Sequence, residues 1–151
     1  EFLEKSFLSY LNSETLLQSP LPILYVSPVD AEHAGKILIG TQKYVDWANH
    51  EIVKRLANLY MENGTPYQTA LDSISLDLSD LKNIRNRAAH SSSTTEQKYL
   101  AVQRRVLKKP NSNLNISNFL MHSHPTIAGK NILEYYQETL TAAAHNIANC
   151  T

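Results

Sequence analysis

The residues whose types and spacing best suit chemistry form the stretch Arg-Asn-Arg-Ala-Ala-His at positions 85–90. If this stretch is helical, Asn86 and His90 are four residues apart and share one face, with Arg85 at its edge. An arginine can fork onto a phosphate, and a histidine titrates near neutral pH. We therefore assign phosphate binding to Arg85, proton transfer to His90, and orientation of one or both of these side chains to Asn86. Together they form a minimal catalytic set for phosphodiester chemistry.

This set of residues also predicts how the chain assembles. Metal-free cleavage of RNA uses the 2′-hydroxyl as nucleophile and needs a base, an acid and cations beside the phosphoryl oxygens. The motif supplies one histidine, whereas acid and base together require two titratable groups. A two-fold dimer that joins two motifs in one composite active site is the simplest solution. The small residues Ala88 and Ala89 would allow another helix to approach closely.

The charge of the chain is segregated although its net charge is zero. Residues 82–109 contain eight basic residues and one acidic residue, whereas the remainder contains six basic and thirteen acidic residues. A positive segment on an acidic body suits a polyanion, which predicts RNA as the partner. The candidate RNA-binding residues are Lys82, Arg87, Arg104, Arg105, Lys108 and Lys109. The alternative is a solvated basic helix, or one that packs on the acidic remainder.

Helical periodicity governs nearly the whole chain. The pattern predicts helices at 2–12, 31–62 with a break at Gly40, a helix restarting at Thr65-Pro66, a motif helix, and helices at 96–109, 116–121 and 127–149. Leu78, Leu81, Ile84 and Ala88 mark the expected buried stripe of the motif helix. Prolines at 20, 22 and 28 favour an extended segment at 19–29, and 110–115 is expected to be a loop. We predict an all-α fold, a compact antiparallel bundle of about five to six helices with two shorter pieces, in a single domain spanning 1–151.

The order Arg-polar-x-x-x-His, set in such a bundle, resembles the signature of HEPN domains (higher eukaryotes and prokaryotes nucleotide-binding). The likeness covers roughly residues 76–107. It implies a motif near the end of a core helix and an active cleft between two domains. It also implies a metal-independent endoribonuclease without cofactors, of the toxin or antiviral-defence type, whose products are a 2′,3′-cyclic phosphate and a 5′-hydroxyl. Some HEPN domains lack activity and serve as RNA-binding, antitoxin-contact or dimerisation modules, and a plain protein-interaction domain is a third alternative.

Other sequence features carry weaker signals. The chain has no apolar run near 18 residues, so we expect no membrane contact. One cysteine, Cys150, fits a reducing compartment and a cytoplasmic location. The first residue is Glu1, which suggests a fragment of a larger protein. His122 and His124 could form a metal pair but lack further ligands nearby, and Ser91 lacks the setting of a hydrolase nucleophile.

Overall fold

A computed structural model describes residues 1–12, 21–40, 44–109 and 113–149. Within these ranges the chain forms eight α-helices and no β-strand beyond two isolated bridges, which confirms the predicted all-α class. The helices are α1 (Phe2–Leu11), α2 (Ala31–Ile39), α3 (His50–Tyr60), α4 (Tyr67–Ser73), α5 (Ser75–Ala89), α6 (Ser93–Leu107), α7 (Ile116–Leu120) and α8 (Ile132–Ala148). None of these helices is long and apolar enough to cross a membrane.

The chain divides into two compact units. The first comprises Glu1–Ile74 with Ala142–Thr151, and the second comprises Ser75–Thr141. Helix α8 begins in the second unit and ends in the first. The whole 85–90 motif belongs to the second unit.

The first unit is built around aromatic side chains. Phe7 and Tyr67 are fully buried, with ring centroids 4.9 Å apart, and Trp47 lies 5.6 Å from Phe7. The Ser6 hydroxyl lies 2.9 Å from the Tyr67 hydroxyl, so a polar pair is satisfied inside this core. Residues 21–29 are not helical, as the prolines predicted, and Leu24 forms an antiparallel bridge with Met61. Positions 19 and 20 of the predicted segment lie outside the described residues.

The segment 31–62 was predicted to be helical with a break at Gly40. It forms two helices, and more residues than Gly40 separate them. Helix α2 ends at Ile39, and Gly40 has a φ of +54° that favours glycine. Residues 44–49 are not helical. Helix α3 begins at His50 because the Asn49 side chain accepts a hydrogen bond from the Glu51 amide at 3.2 Å, a helix-starting cap.

Two other helix starts differ from the prediction. The helix predicted to restart at Thr65-Pro66 begins at Tyr67, and Pro66, after a cis peptide bond, takes the N-cap position of α4 with a φ of −92° and a ψ of 0°. Helix α8 starts at Ile132 rather than at 127. Gly129 has a φ of +79°, and Asn131 and Glu134 exchange side-chain-to-amide hydrogen bonds at 2.8 and 2.9 Å. Such a reciprocal capping box fixes the first turn of a helix.

Helices α5 and α6 form the antiparallel hairpin that carries the motif. Helix α6 starts at Ser93, three residues before the predicted Glu96, because the Ser92 hydroxyl caps it by accepting from the Thr95 amide at 3.2 Å. The core beneath the hairpin contains Ile84, Tyr99, Val102, Val106, Leu107, Phe119, Ile132 and Tyr136. Three residues, 90–92, therefore connect the two helices.

The buried stripe of α5 is rotated relative to the prediction. Ala88, expected in the core, is exposed, and Leu78 is only half-buried. Asp80 is buried in their place, at 4% exposure, together with Ile84. A carboxylate can take a core position here because charged and polar partners reach it from α6 and α8.

Candidate functional site

The motif occupies the C-terminal end of α5. The helix ends at Ala89, and the amide of His90 still donates to the carbonyl of Asn86 at 2.9 Å. His90 therefore continues the helical path, and Asn86 and His90 have the one-turn relationship that the sequence predicted. Arg85, Ala88, Ala89 and His90 are exposed, so the motif is open to solvent in this chain.

The Asn86 side chain lies against the arginine rather than the imidazole. Its amide oxygen accepts a 3.3 Å hydrogen bond from Nη1 of Arg85. The His90 ring makes no hydrogen bond within the part of the chain that the structure describes. Of the two side chains that the sequence assigns to Asn86, the structure thus shows contact with Arg85.

Thr95 is a residue of this site that the sequence analysis missed. From the first turn of α6, its hydroxyl shares its proton between the carbonyls of His90 and Ser92, each at 2.8 Å. The His90 backbone is therefore held on both sides, by Asn86 through its amide and by Thr95 through its carbonyl. A capping pattern in Ser92–Thr95 was visible in the sequence, but its contact with His90 depends on the tight α5–α6 turn.

A cleft of about 420 Å³ opens next to the motif. Arg87 and Glu96 form one side, with Arg87 Nη2 3.9 Å from Glu96 Oε1. The opposite wall is the segment 113–117. Gln103, fully buried, holds that wall by bonding both the amide and the carbonyl of Leu114, at 3.1 and 2.6 Å.

Tyr99 adds a third tie to the same wall. Its hydroxyl donates to the Leu114 carbonyl at 3.0 Å. Burial raises the pKa of Tyr99 above its usual value, which favours the protonated hydroxyl that donates this bond. The wall is thus preorganised by side chains of α6.

The basic residues of the 82–109 segment do not converge on the motif. Lys82 and Arg85 are both exposed and three residues apart on α5, so they share a face. Arg104, Arg105, Lys108 and Lys109 belong to the other end of the antiparallel hairpin. At 1.5 Å per residue, that end lies about 15–20 Å from His90 along the helix axis.

Arg105 has a partner within the protein. Its guanidinium is ion-paired with the buried carboxylate of Asp80. The Tyr136 hydroxyl also donates to Asp80, at 3.1 Å, and burial raises the pKa of Tyr136 to about 12. Arg104 is exposed and donates from Nε to the Leu100 carbonyl at 3.2 Å. Lys108 ends α6 in a left-handed conformation, and Lys109 is exposed.

No protein-family model, curated protein or solved structure matches this chain. The geometry at the end of α5 and the composition of its surroundings are therefore the grounds for any functional proposal.

His122 and His124 lie apart from the motif in sequence and have other partners. His122 Nδ1 lies 2.8 Å from the Ser123 carbonyl oxygen, and the His124 ring packs on Tyr135 at 4.7 Å between centroids. His124, Lys108 and Arg105 border a smaller cleft of about 180 Å³. Among the described residues, no three side chains of the metal-binding types come together in one group. Cys150 and residues 110–112 of the predicted loop lie outside the described residues.

Proposed function

We propose that this chain is a metal-independent endoribonuclease of the HEPN type, active as a two-fold dimer. The observation that supports the proposal is the grouping of Arg85, Asn86 and His90 at one exposed helix end. The imidazole is open to solvent, while the His90 backbone donates a hydrogen bond to the Asn86 carbonyl and accepts one from the Thr95 hydroxyl. A group that must reach a substrate proton needs this combination of an accessible ring and a fixed main chain.

The proposed reaction is an internal displacement at phosphorus. The 2′-hydroxyl loses its proton to a base, its oxygen bonds to phosphorus, and the bond to the 5′-oxygen breaks as that oxygen gains a proton. His90 from each of two copies would supply the base and the acid. Arg85, oriented by Asn86, would stabilise the charge on the phosphoryl oxygens. The products are a 2′,3′-cyclic phosphate and a 5′-hydroxyl.

Lys82 would guide the RNA backbone toward the motif because it shares the exposed face of Arg85. The lysine and arginine side chains at the end of the α5–α6 hairpin opposite the motif would contact phosphates farther along a long RNA substrate. Within this proposal the chain works in the cytoplasm as a toxin or antiviral effector, alone or inside a larger protein, and an antitoxin is a possible partner class.

The test is incubation of purified chain with single-stranded RNA in excess EDTA. We expect cleavage that persists in EDTA and products that carry a cyclic phosphate. His90→Ala should abolish cleavage. Arg85→Ala should reduce the rate on the order of 10²–10³-fold, as for loss of one transition-state donor. Arg85→Lys should restore only part of it, because lysine lacks the planar fork.

Matched controls are His145→Ala and Arg55→Ala, which replace an exposed histidine and an exposed arginine elsewhere in the chain. Both should cut RNA at the rate of the unmodified chain. A folded His90→Ala protein that cuts RNA as fast as the unmodified chain refutes the proposal. Salt-sensitive RNA binding without any cleavage favours the noncatalytic RNA-binding module, and absence of both favours a protein-interaction domain.

A further inference from the structure

The cleft bordered by Arg87 and Glu96 lies within one turn of the motif and has no role in the reaction described above. Arg87 is three residues from His90, which corresponds to about 4.5 Å along a helix axis. On a wheel of about 100° per residue, His90 lies about 60° from Arg87 and about 140° from Arg85. The side of His90 that faces Arg87 therefore faces the cleft, and a nucleoside whose phosphate is bound at His90 would lie beside it.

The lining has the chemistry of a nucleobase site. Leu100 and Ile116 offer apolar contacts for the faces of a ring, and the Arg87 guanidinium offers a plane for stacking. Asn113 and Glu96 offer hydrogen-bonding groups at the rim. Single-stranded RNA is recognised in this way, by stacking on aromatic or arginine planes and by hydrogen bonds to base edges.

The cleft is also rigid and large enough. Its volume of about 420 Å³ is within the usual range of small-molecule sites. The 113–117 wall is fixed to α6 by Gln103 and Tyr99 through the backbone of Leu114. A preformed wall reduces the ordering cost of binding.

Glu96 determines which base suits the cleft. It is the only carboxylate among the described residues that line the cleft, its side chain is 51% exposed, and its contact with Arg87 is a loose 3.9 Å. A carboxylate accepts two hydrogen bonds side by side and donates none. Guanine presents two adjacent N–H donors, at N1 and N2, on its Watson–Crick edge, whereas adenine, cytosine and uracil each present only one donor group there.

We infer that this cleft is a guanine-binding subsite, in which Glu96 accepts from the Watson–Crick edge of the base and Arg87 stacks on its face. The inference rests on the proposed function for its place in RNA cleavage, but the binding site itself is testable without any cleavage. It predicts that the nucleotide next to the scissile phosphate carries guanine.

The experiment measures binding of the four 3′-nucleoside monophosphates, GMP, AMP, CMP and UMP, to the full chain by calorimetry in EDTA. We expect GMP to bind about tenfold more tightly than the other three nucleotides. This factor is at the lower end of the discrimination between bases that two hydrogen bonds to one base edge provide. Glu96→Gln should remove that preference because it replaces one acceptor oxygen with a donor. Asn113→Ala should weaken GMP binding with little effect on folding, since Asn113 is exposed.

The matched control is Glu32→Gln, another exposed glutamate in an ion pair, with Lys36 at 2.6 Å. It should keep the full preference for GMP. Asn115 is not a suitable variant, because its side chain caps α7 by accepting from the Asn118 amide at 2.8 Å.

Equal binding of the four nucleotides, a preference for another base, or a GMP preference that survives Glu96→Gln would overturn the inference. Its failure is separable from that of the proposed nuclease. Selective GMP binding in a chain that never cuts RNA supports the subsite and refutes the nuclease. RNA cleavage by a chain that binds the four nucleotides equally supports the nuclease and refutes the subsite.

Discussion

The guanidinium of Arg105 on α6 is ion-paired with the carboxylate of Asp80 on α5, and the two side chains differ sharply in exposure. The Arg105 side chain is 39% exposed, whereas the Asp80 side chain alone is 6% exposed. Water can solvate the arginine if its partner is lost, but it cannot reach the carboxylate equally well. This asymmetry identifies Arg105 as a residue that stabilises the hairpin, in addition to any contact with RNA.

Replacement of Arg105 should therefore destabilise the fold more than replacement of Asp80. Arg105→Ala leaves a buried carboxylate without its cation and should cost about 2–3 kcal/mol, below the range for fully buried pairs. Asp80→Asn keeps an acceptor for Tyr136 and should cost about 1 kcal/mol. Urea unfolding measures both, and Arg104→Ala serves as the exposed neighbouring control. Equal losses for Arg105→Ala and Arg104→Ala would contradict this prediction.

Alkaline pH should destabilise the second unit through Tyr136. Because burial raises the pKa of Tyr136 to about 12, the folded chain holds this proton more tightly than the unfolded chain. Its contribution to the free energy of unfolding is complete below about pH 10 and is lost as the pH rises toward 12. Tyr136→Phe should show a smaller fall in unfolding temperature across this window. Tyr25→Phe, on a 60% exposed ring, should leave the fall unchanged.

RNA binding should depend on salt through specific lysines and arginines. In a His90→Ala background, Lys82→Ala and Arg104→Ala should each reduce the slope of log affinity against log salt by about 0.7–0.9, one phosphate contact. Arg105→Ala should change the slope less, because Asp80 already neutralises its charge. Lys36→Ala on α2 is the control. Slopes that stay constant in all these variants would place RNA elsewhere on the protein.

Mixed dimers should report a shared active site. If each copy contributes one His90 to a composite cleft, equal amounts of unmodified and His90→Ala chains exchange so that half of the dimers are mixed, and a mixed dimer lacks one of the two required histidines. The activity should then fall to about half that of the same unmodified chains alone. Sedimentation should show a dimer in dilute buffer. A monomer that cuts RNA at a rate linear in protein concentration would rule out this assembly.

Thr95 should act as a positioning residue for His90. Thr95→Val removes the 2.8 Å bond to the His90 carbonyl, so we expect kcat to fall about tenfold with KM nearly unchanged. Thr95→Ser retains the hydroxyl and should restore most of the rate. Measured unfolding temperatures separate this effect from loss of stability. Equal rates for Thr95→Val and Thr95→Ser would exclude the positioning role.

The sequence by itself determined the features that depend on neighbours along the chain. Helical periodicity gave the all-α class, and the spacing of Asn86 and His90 gave their one-turn relationship, which the backbone hydrogen bond at 2.9 Å confirms. Both follow from contacts within four residues, which local sequence fixes. The HEPN resemblance and the ribonuclease activity stay predictions.

Tertiary structure alone decided what lies between distant segments. Asp80 is buried because Arg105 and Tyr136 reach it from other helices, so a polar residue replaced the expected Ala88 in the core. The cleft beside the motif exists because Gln103 and Tyr99 fix the backbone of Leu114 against α6. The periodicity of one helix states which positions share a face, but the direction of that face and the partners of its polar groups depend on how separate helices pack.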